Sequence, residues 1–174
     1  MNIYCIDTSS LIELKGKYPE TIFPTLWRKI EELIQEKRLI APIEVKKEIE
    51  KGDDKLKNWV RSKKRNKMFI KPDSFQVEKV KEILSRFAFL SKPEKPDELS
   101  ADPWLIALAA KKNEEEDAKN LLFQREGNYI YKKNYIVVTE ESKRKLERIP
   151  AVCNEFGIEC INLLEMLEKE KWEF

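Results

Sequence analysis

Residues 3–10 read Ile3-Tyr4-Cys5-Ile6-Asp7-Thr8-Ser9-Ser10. An apolar run rich in strand formers stops at a carboxylate followed by hydroxyls, side chains that accept the free backbone N–H groups at the start of a helix. The stretch therefore reads as a strand running into a helix, with Asp7 at the point where the strand stops. In open sheets of parallel strands, ligand sites form outside the carboxyl ends of the strands. Asp7 is accordingly a candidate functional group, although capping alone explains a single Asp here and Thr8, Ser9 and Ser10 can share that duty.

Outward from this stretch, strand and helix patterns alternate. Ile22, Phe23, Leu26, Trp27, Ile30, Leu33 and Ile34 recur at helical spacing, predicting one long amphipathic helix from Pro19. Leu39 and Ile40 predict a short second strand, and Pro42 opens a further helix, IEVKKEIEKG, that Gly52 ends. A helix with Leu56, Trp59 and Val60 follows, then an extended Met68-Phe69-Ile70. Helical spacing resumes at Val77, Val80, Leu84 and Phe87 and is interrupted by Pro93 and Pro96. Asp102-Pro103 starts a helix through Trp104, Leu105, Leu108 and Ala109, because proline at the first helical position lacks only a donor that would be unpaired there. Lys111 to Asp117 are expected to form its solvated continuation. Tyr135 to Val138 and Ile158 to Ile161 predict two more strands flanking a short helix with Val152 and Phe156. Asn162 and Glu165 have capping-box spacing for a closing helix. Strands separated by helices predict an α/β fold, a three-layer α/β/α sandwich with a central, mainly parallel sheet. With 174 residues and no repeat or long linker, one domain over 1–174 is expected.

Composition narrows the chemistry. Histidine is absent, which removes the usual general base and neutral metal ligand along with every His-dependent triad. Cys5, Cys153 and Cys160 form no C-x-x-C pair and sit among apolar neighbours, so they read as buried reduced thiols and a zinc site is not expected. No stretch approaches the roughly 18 apolar residues of a membrane span, and the N-terminus has no signal-like pattern, which predicts a cytoplasmic protein. The net charge of +2 is uninformative as a total. Its distribution is not: Lys55 to Lys71 holds eight basic residues and no acidic one, leaving the rest of the chain near −6. Such a strip suits a phosphate backbone, with Lys63, Lys64, Arg65 and Lys67 as candidate contacts and Trp59 as a stacking surface. A solvated helix face with Trp59 in the core explains the same pattern.

The remaining candidates are carboxylates. Glu44 and Glu48, four apart, share one helix face beside the Val45 and Ile49 stripe. Glu44 fits a surface pair with Lys47, which leaves Glu48 preferred. Asp102 stands at a helix start, where capping and metal binding are compatible. Glu140 and Glu141 follow the strand Tyr135 to Val138, although acidic residues in a first helical turn are common for dipole reasons.

In this order the residues resemble the PIN-like nuclease superfamily. IDTSSLI (6–12) looks like its first motif, APIEVKKEIEKG (41–52) like the second with Glu48 in the acidic position, and ADPWLIALA (101–109) like the third with Asp102. VVTEES (137–142) is similar to a block that often reads T-x-D, with Glu141 in place of the Asp. The resemblance spans nearly the whole chain, but Asp102 and Thr139 are 37 residues apart. That is longer than the family's usual spacing and implies an inserted or extended segment around residues 113–134. It further implies a metal-dependent ribonuclease, with Asp7, Glu48 and Asp102 as catalytic metal ligands and Glu141 as a fourth. An RNA substrate, a toxin of a toxin–antitoxin pair or an RNA-processing enzyme, a cognate antitoxin and a homodimer are implied in the same way.

The chemistry is consistent with that expectation. Two carboxylates about 4 Å apart repel by roughly 4 kcal/mol at an effective dielectric near 20, so a cluster calls for a cation. Oxygen donors without His or Cys favour Mg²⁺ or Mn²⁺, and such an ion activates water without a separate general base. Thr8, Ser9 and Thr139 would orient the carboxylates or bound water. Two rivals are weighed against this. One is a catalytically inactive PIN-like module that binds RNA or regulates, with its carboxylates acting as caps. The other is a phosphotransferase of the haloacid dehalogenase kind, which also has an Asp after its first strand but expects another where Ser9 stands.

Overall fold

The computed structural model describes residues 1–52, 54–91, 100–125 and 132–173. Strand β1 (Asn2–Ile6) gives way at Asp7 to helix α1 (Thr8–Lys17), as the opening stretch dictates. Helix α2 (Pro24–Gln35) begins later than its apolar spacing suggested. Pro24, tolerated only in the first turn, sets the start, and Ile22 is left exposed before it. Strand β2 (Leu39–Pro42), helix α3 (Ile43–Lys51) and helix α4 (Asp54–Arg61) lead through a 3₁₀ segment, Lys63–Met68, into β3 (Phe69–Ile70). Helix α5 (Ser74–Arg86), capped by Asp73, is followed by a 3₁₀ turn, Ala88–Ser91. Pro93 and Pro96 lie outside the described residues. The chain then continues through helix α6 (Asp102–Arg125), strand β4 (Asn134–Val138), helix α7 (Ile149–Glu155), strand β5 (Cys160–Ile161) and helix α8 (Leu163–Lys169). Gly157, at φ +63°, supplies the left-handed residue that reverses the chain between α7 and β5. The last strand is shorter than Ile158 to Ile161 because Ile158 N donates to Cys153 O in that reversal.

The five strands form one sheet in the order β3-β2-β1-β4-β5, with every pair parallel. Side chains alternate across it, as strand geometry requires. Tyr4, Ile6, Ala41, Ile136 and Val138 face one core, built with Leu11, Trp27, Ile30, Val45, Trp59 and Met166. Ile3, Cys5, Ile40, Tyr135 and Val137 face the other, built with Val80, Ile83, Leu105, Ile106 and Val152. Each large aliphatic side chain buried in these layers stabilises the fold by about 1.5–3 kcal/mol. The expected three-layer α/β/α sandwich is therefore observed, and its sheet is wholly parallel among the described strands. No described helix is long and apolar enough to cross a membrane.

Two buried polar groups depart from expectation. Lys111 and Glu116, read as part of a solvated continuation, are both buried. Lys111 lies against α5, where it pairs with Asp73 and Glu115. Glu116 pairs with Lys119 and accepts from Lys133 N. Charge runs conceal such burial because long side chains bury their stems while their heads find partners. Residues 113–125 of the expected inserted segment continue α6, and residues 126–131 lie outside the described residues.

Candidate active site

The strand order places a crevice where chemistry can gather. From β1 the chain winds outward to β2 and β3, then returns on the other side of β1 to form β4 and β5. The direction reverses between β1 and β4, the topological switch point at which open parallel sheets bind ligands. Asp7 follows β1 and Thr139 follows β4, and their side chains meet there: Thr139 Oγ1 donates to Asp7 Oδ2 at 3.0 Å. Ser9 Oγ donates to the same oxygen at 2.6 Å, and Thr8 N donates to Oδ1 at 2.7 Å. Each hydroxyl has one hydrogen to give, and both lone-pair sides are also used, since Glu140 N donates to Ser9 Oγ and Glu141 N to Thr139 Oγ1. Asp7 is thus a buried carboxylate with donors on both oxygens, three of the four bonds falling on Oδ2. Burial pushes its pKa above the ordinary 3.8 and the neighbouring Glu48 charge adds to the rise, while donors from Ser9, Thr139 and Thr8 oppose it.

Glu48 reaches the same crevice from α3. Its Oε2 accepts from Thr8 Oγ1 at 2.7 Å and its Oε1 from Ala101 N at 3.0 Å, which ties α3 to the starts of both α1 and α6. Asp102, half-buried in the first turn of α6, receives its backbone placement from Ser100 Oγ. Asp7, Glu48, Asp102 and Glu141 line one cavity of about 400 Å³, together with Thr8, Ser9, Ile12, Phe89, Leu90, Glu147 and Arg148. Four carboxylates that are distant in the chain are therefore brought together, with Thr8, Ser9 and Thr139 in orienting positions.

The alternatives left open at two positions separate cleanly. Glu140 turns away from the cavity and accepts from Ser10 Oγ and Leu163 N, joining α1 to α8. Glu141 lines the cavity while its Oε2 accepts from Ile149 N at 2.7 Å, capping α7. Glu44, expected on the surface, is only 3% exposed; Lys47 reaches its Oε1, and its Oε2 has no hydrogen-bond partner among the described residues.

Among the described residues, none of the basic strip lines this cavity. Gln35, at the end of α2, donates to Lys64 O and accepts from Lys67 Nζ. That holds the 3₁₀ segment near the end of the sheet where β2 begins, whereas the carboxylates gather where strands stop. Lys63, Lys64 and Lys67 are exposed, but Arg65 is committed to Glu31 and lies over the Trp59 ring at 4.6 Å. Trp59 is buried edge-on against Trp27, so the core reading of this residue is correct and the stacking surface is withdrawn. Glu147 and Arg148 went unnoticed in the sequence. The one signal was Ile149-Pro150, a helix start that places the preceding residues above the end of β4.

As a donor set the cavity suits a hard divalent cation, being oxygen-only and bearing clustered negative charge that a cation would relieve. Among the described residues, no three Asp, Glu or Cys side chains stand close enough together to hold one ion as they are oriented. Residues fit by chemistry and location, and side-chain rotation about the cavity would have to complete the ligand set.

No curated protein and no solved structure matches the chain. A family match covers residues 4–116 and 128–174 and omits 117–127, which fall within the segment expected to be inserted or extended. With nearly its whole length matched, the chain belongs to the family described as a domain of unknown function, DUF4411.

Proposed function

We propose that this chain is a divalent-metal-dependent ribonuclease of PIN-like type, hydrolysing RNA phosphodiester bonds in the cavity at the switch point. The observation that carries the reading is the convergence of Asp7, Glu48, Asp102 and Glu141 on one cavity. Mg²⁺ or Mn²⁺ held by Asp7, Glu48 and Asp102, with Glu141 as a further ligand, would neutralise phosphoryl charge and activate water. The chain's own residues prepare that site. Ser9 and Thr139 hold one oxygen of Asp7 at the cavity, and Thr8 and the Ala101 amide hold both oxygens of Glu48 there, so that only a local rotation, exchanging some of these bonds for the ion, separates them from a shared ligand set. Carboxylate chemistry of this kind needs no histidine, and the chain has none.

The decisive experiment incubates pure protein with mixed single-stranded RNAs, and with DNA of matching sequence, in Mg²⁺ or Mn²⁺. Cutting of RNA that chelator abolishes and that both Asp7→Asn and Asp102→Asn remove is expected. Metal-dependent cutting that survives both substitutions would refute the site. A toxin role, with a cognate antitoxin, predicts growth arrest on expression that Asp7→Asn relieves, and a homodimer predicts twice the chain mass in solution.

One observation favours a second reading, a catalytically inactive module that binds RNA or regulates. Asp7 caps α1, Glu141 caps α7, and Glu48 receives Ala101 N, so three of the carboxylates also serve the fold. Retained RNA binding without cutting in either metal would select it.

A further inference from the structure

We infer that Arg148 is the substrate-binding residue of the cavity, its guanidinium holding a phosphate of the nucleic-acid strand. The inference rests on the nuclease reading for its substrate class and on geometry for the residue. The described lining of the cavity contains Asp7, Glu48, Asp102, Glu141 and Glu147 and a single base, Arg148. A polyanion approaching such a surface is repelled by every carboxylate; an ion held by the carboxylates would answer that at the phosphate being cut, and a positive side chain at the cavity wall is what the chain itself offers to a neighbouring phosphate.

Arg148 is placed for that task, and among the described residues its one charged partner is held only loosely. It immediately precedes α7, yet its side chain does not cap the helix. That duty falls to Glu141, whose Oε2 takes the Ile149 N–H. The other oxygen of Glu141 forms a loose ion pair with Arg148 Nη1 at 3.9 Å, outside hydrogen-bond range, and a phosphate could displace it. Arg148 is half exposed, and among the described residues its guanidinium makes no side-chain hydrogen bond. A planar fork with its donors to spare can engage two phosphate oxygens at once, a geometry lysine cannot reproduce. Because Glu141 and not Arg148 caps α7, replacing the arginine leaves the helix start intact. The buried Ile149 and Pro150 anchor that start.

The test measures binding of a fluorescent single-stranded oligoribonucleotide by anisotropy across NaCl concentrations, with the strand checked on a gel after each titration. Wild type, Arg148→Ala and Arg148→Lys are compared, and their melting temperatures are recorded. One lost phosphate contact lowers the slope of log affinity against log salt by about 0.7 for a single strand. Between 50 and 200 mM salt, wild-type affinity should therefore fall by about 2.6-fold more than that of Arg148→Ala. Arg148→Lys should keep the wild-type slope, and any RNA cutting should fall about tenfold or more in kcat/KM in both variants. All three melting temperatures should agree.

An unchanged slope and affinity in Arg148→Ala overturns the inference, and so does a wild-type chain that binds no RNA at low salt. Wild-type cutting with normal kcat/KM in Arg148→Ala removes Arg148 and leaves the nuclease reading standing. A slope reduced in Arg148→Ala when the wild type never cuts supports the phosphate contact and removes the nuclease reading.

Discussion

If the carboxylate cavity is built for a cation, Mn²⁺ should stabilise the folded chain and the effect should depend on Asp7. A cavity of about 400 Å³, treated as a sphere, is about 9 Å across, so two carboxylates facing each other across it repel by about 2 kcal/mol at an effective dielectric near 20. The five carboxylates of the described lining make several pairs, and one divalent ion opposes all of them at once. An ion that binds only the folded chain stabilises it by about 2.7 kcal/mol at a concentration one hundred times its dissociation constant. For a chain of 174 residues that corresponds to a rise in Tm of about 5–11 °C. The assay is thermal unfolding of wild type, Asp7→Asn and Glu48→Gln in chelator and over increasing Mn²⁺. Wild type should show a saturating rise, and each variant should lose most of it because each removes one charge and one oxygen donor. Equal rises in wild type and both variants would place the ion elsewhere, and no rise in wild type up to millimolar Mn²⁺ would refute the reasoning from repulsion.

The folded state makes further predictions. Asp7 is held above its ordinary pKa, first by burial and then by Glu48, so the folded chain binds that proton more tightly than the unfolded chain. The sign follows from linkage: stability is greatest below the unfolded value near 3.9, falls as pH rises through the folded pKa, and is flat above it. Urea unfolding across that window should show wild type losing ground to Asp7→Asn as pH rises, and parallel pH profiles would contradict the assignment. Asp73→Ala removes the cap on Gln76 N and one of the two carboxylate partners of Lys111 together. With Asp73 itself half exposed, a loss of about 1–2 kcal/mol is expected, read as a lower urea midpoint at constant slope. The buried indoles Trp27 and Trp59 should respond differently to Phe. Trp27 Nε1 donates to Tyr18 O at 2.6 Å, whereas Trp59 Nε1 has no acceptor among the described residues, so Trp27→Phe should cost about 1 kcal/mol more than Trp59→Phe. Equal losses by chemical denaturation would count against that difference.

What was legible in the sequence depended on periodicity and on strand ends. Continuous apolar runs of strand formers, Ile3 to Ile6 and Tyr135 to Val138, mark two strands, and the acid or hydroxyl that follows each is brought to the switch point by parallel pairing of Ile6 with Val138. Asp102 was readable because Pro103 fixes where its helix starts. Periodicity fails where the question is position along an element. Glu44 and Glu48 share a face, but one turn of helix, about 5.4 Å of rise, carries one past the cavity and leaves the other on it. Charge runs fail in another way, since a sequence records sign without place. The Lys55 to Lys71 strip has the charge expected of a nucleic-acid contact, yet topology sets its 3₁₀ segment near the far end of β2. Arg148, in a connection without a period, gave little warning of its place in the cavity.

The hydroxyls join these two levels. Ser9 and Thr139 orient the carboxylate: both hydroxyls donate to Asp7 Oδ2, the acceptor between them, while the amides of Glu140 and Glu141 donate to the hydroxyl oxygens. The same bonds fasten the end of β1 to the end of β4. A substitution that loosens the carboxylate must therefore also loosen the sheet at its switch point, which makes the placement of Asp7 a property of the fold itself.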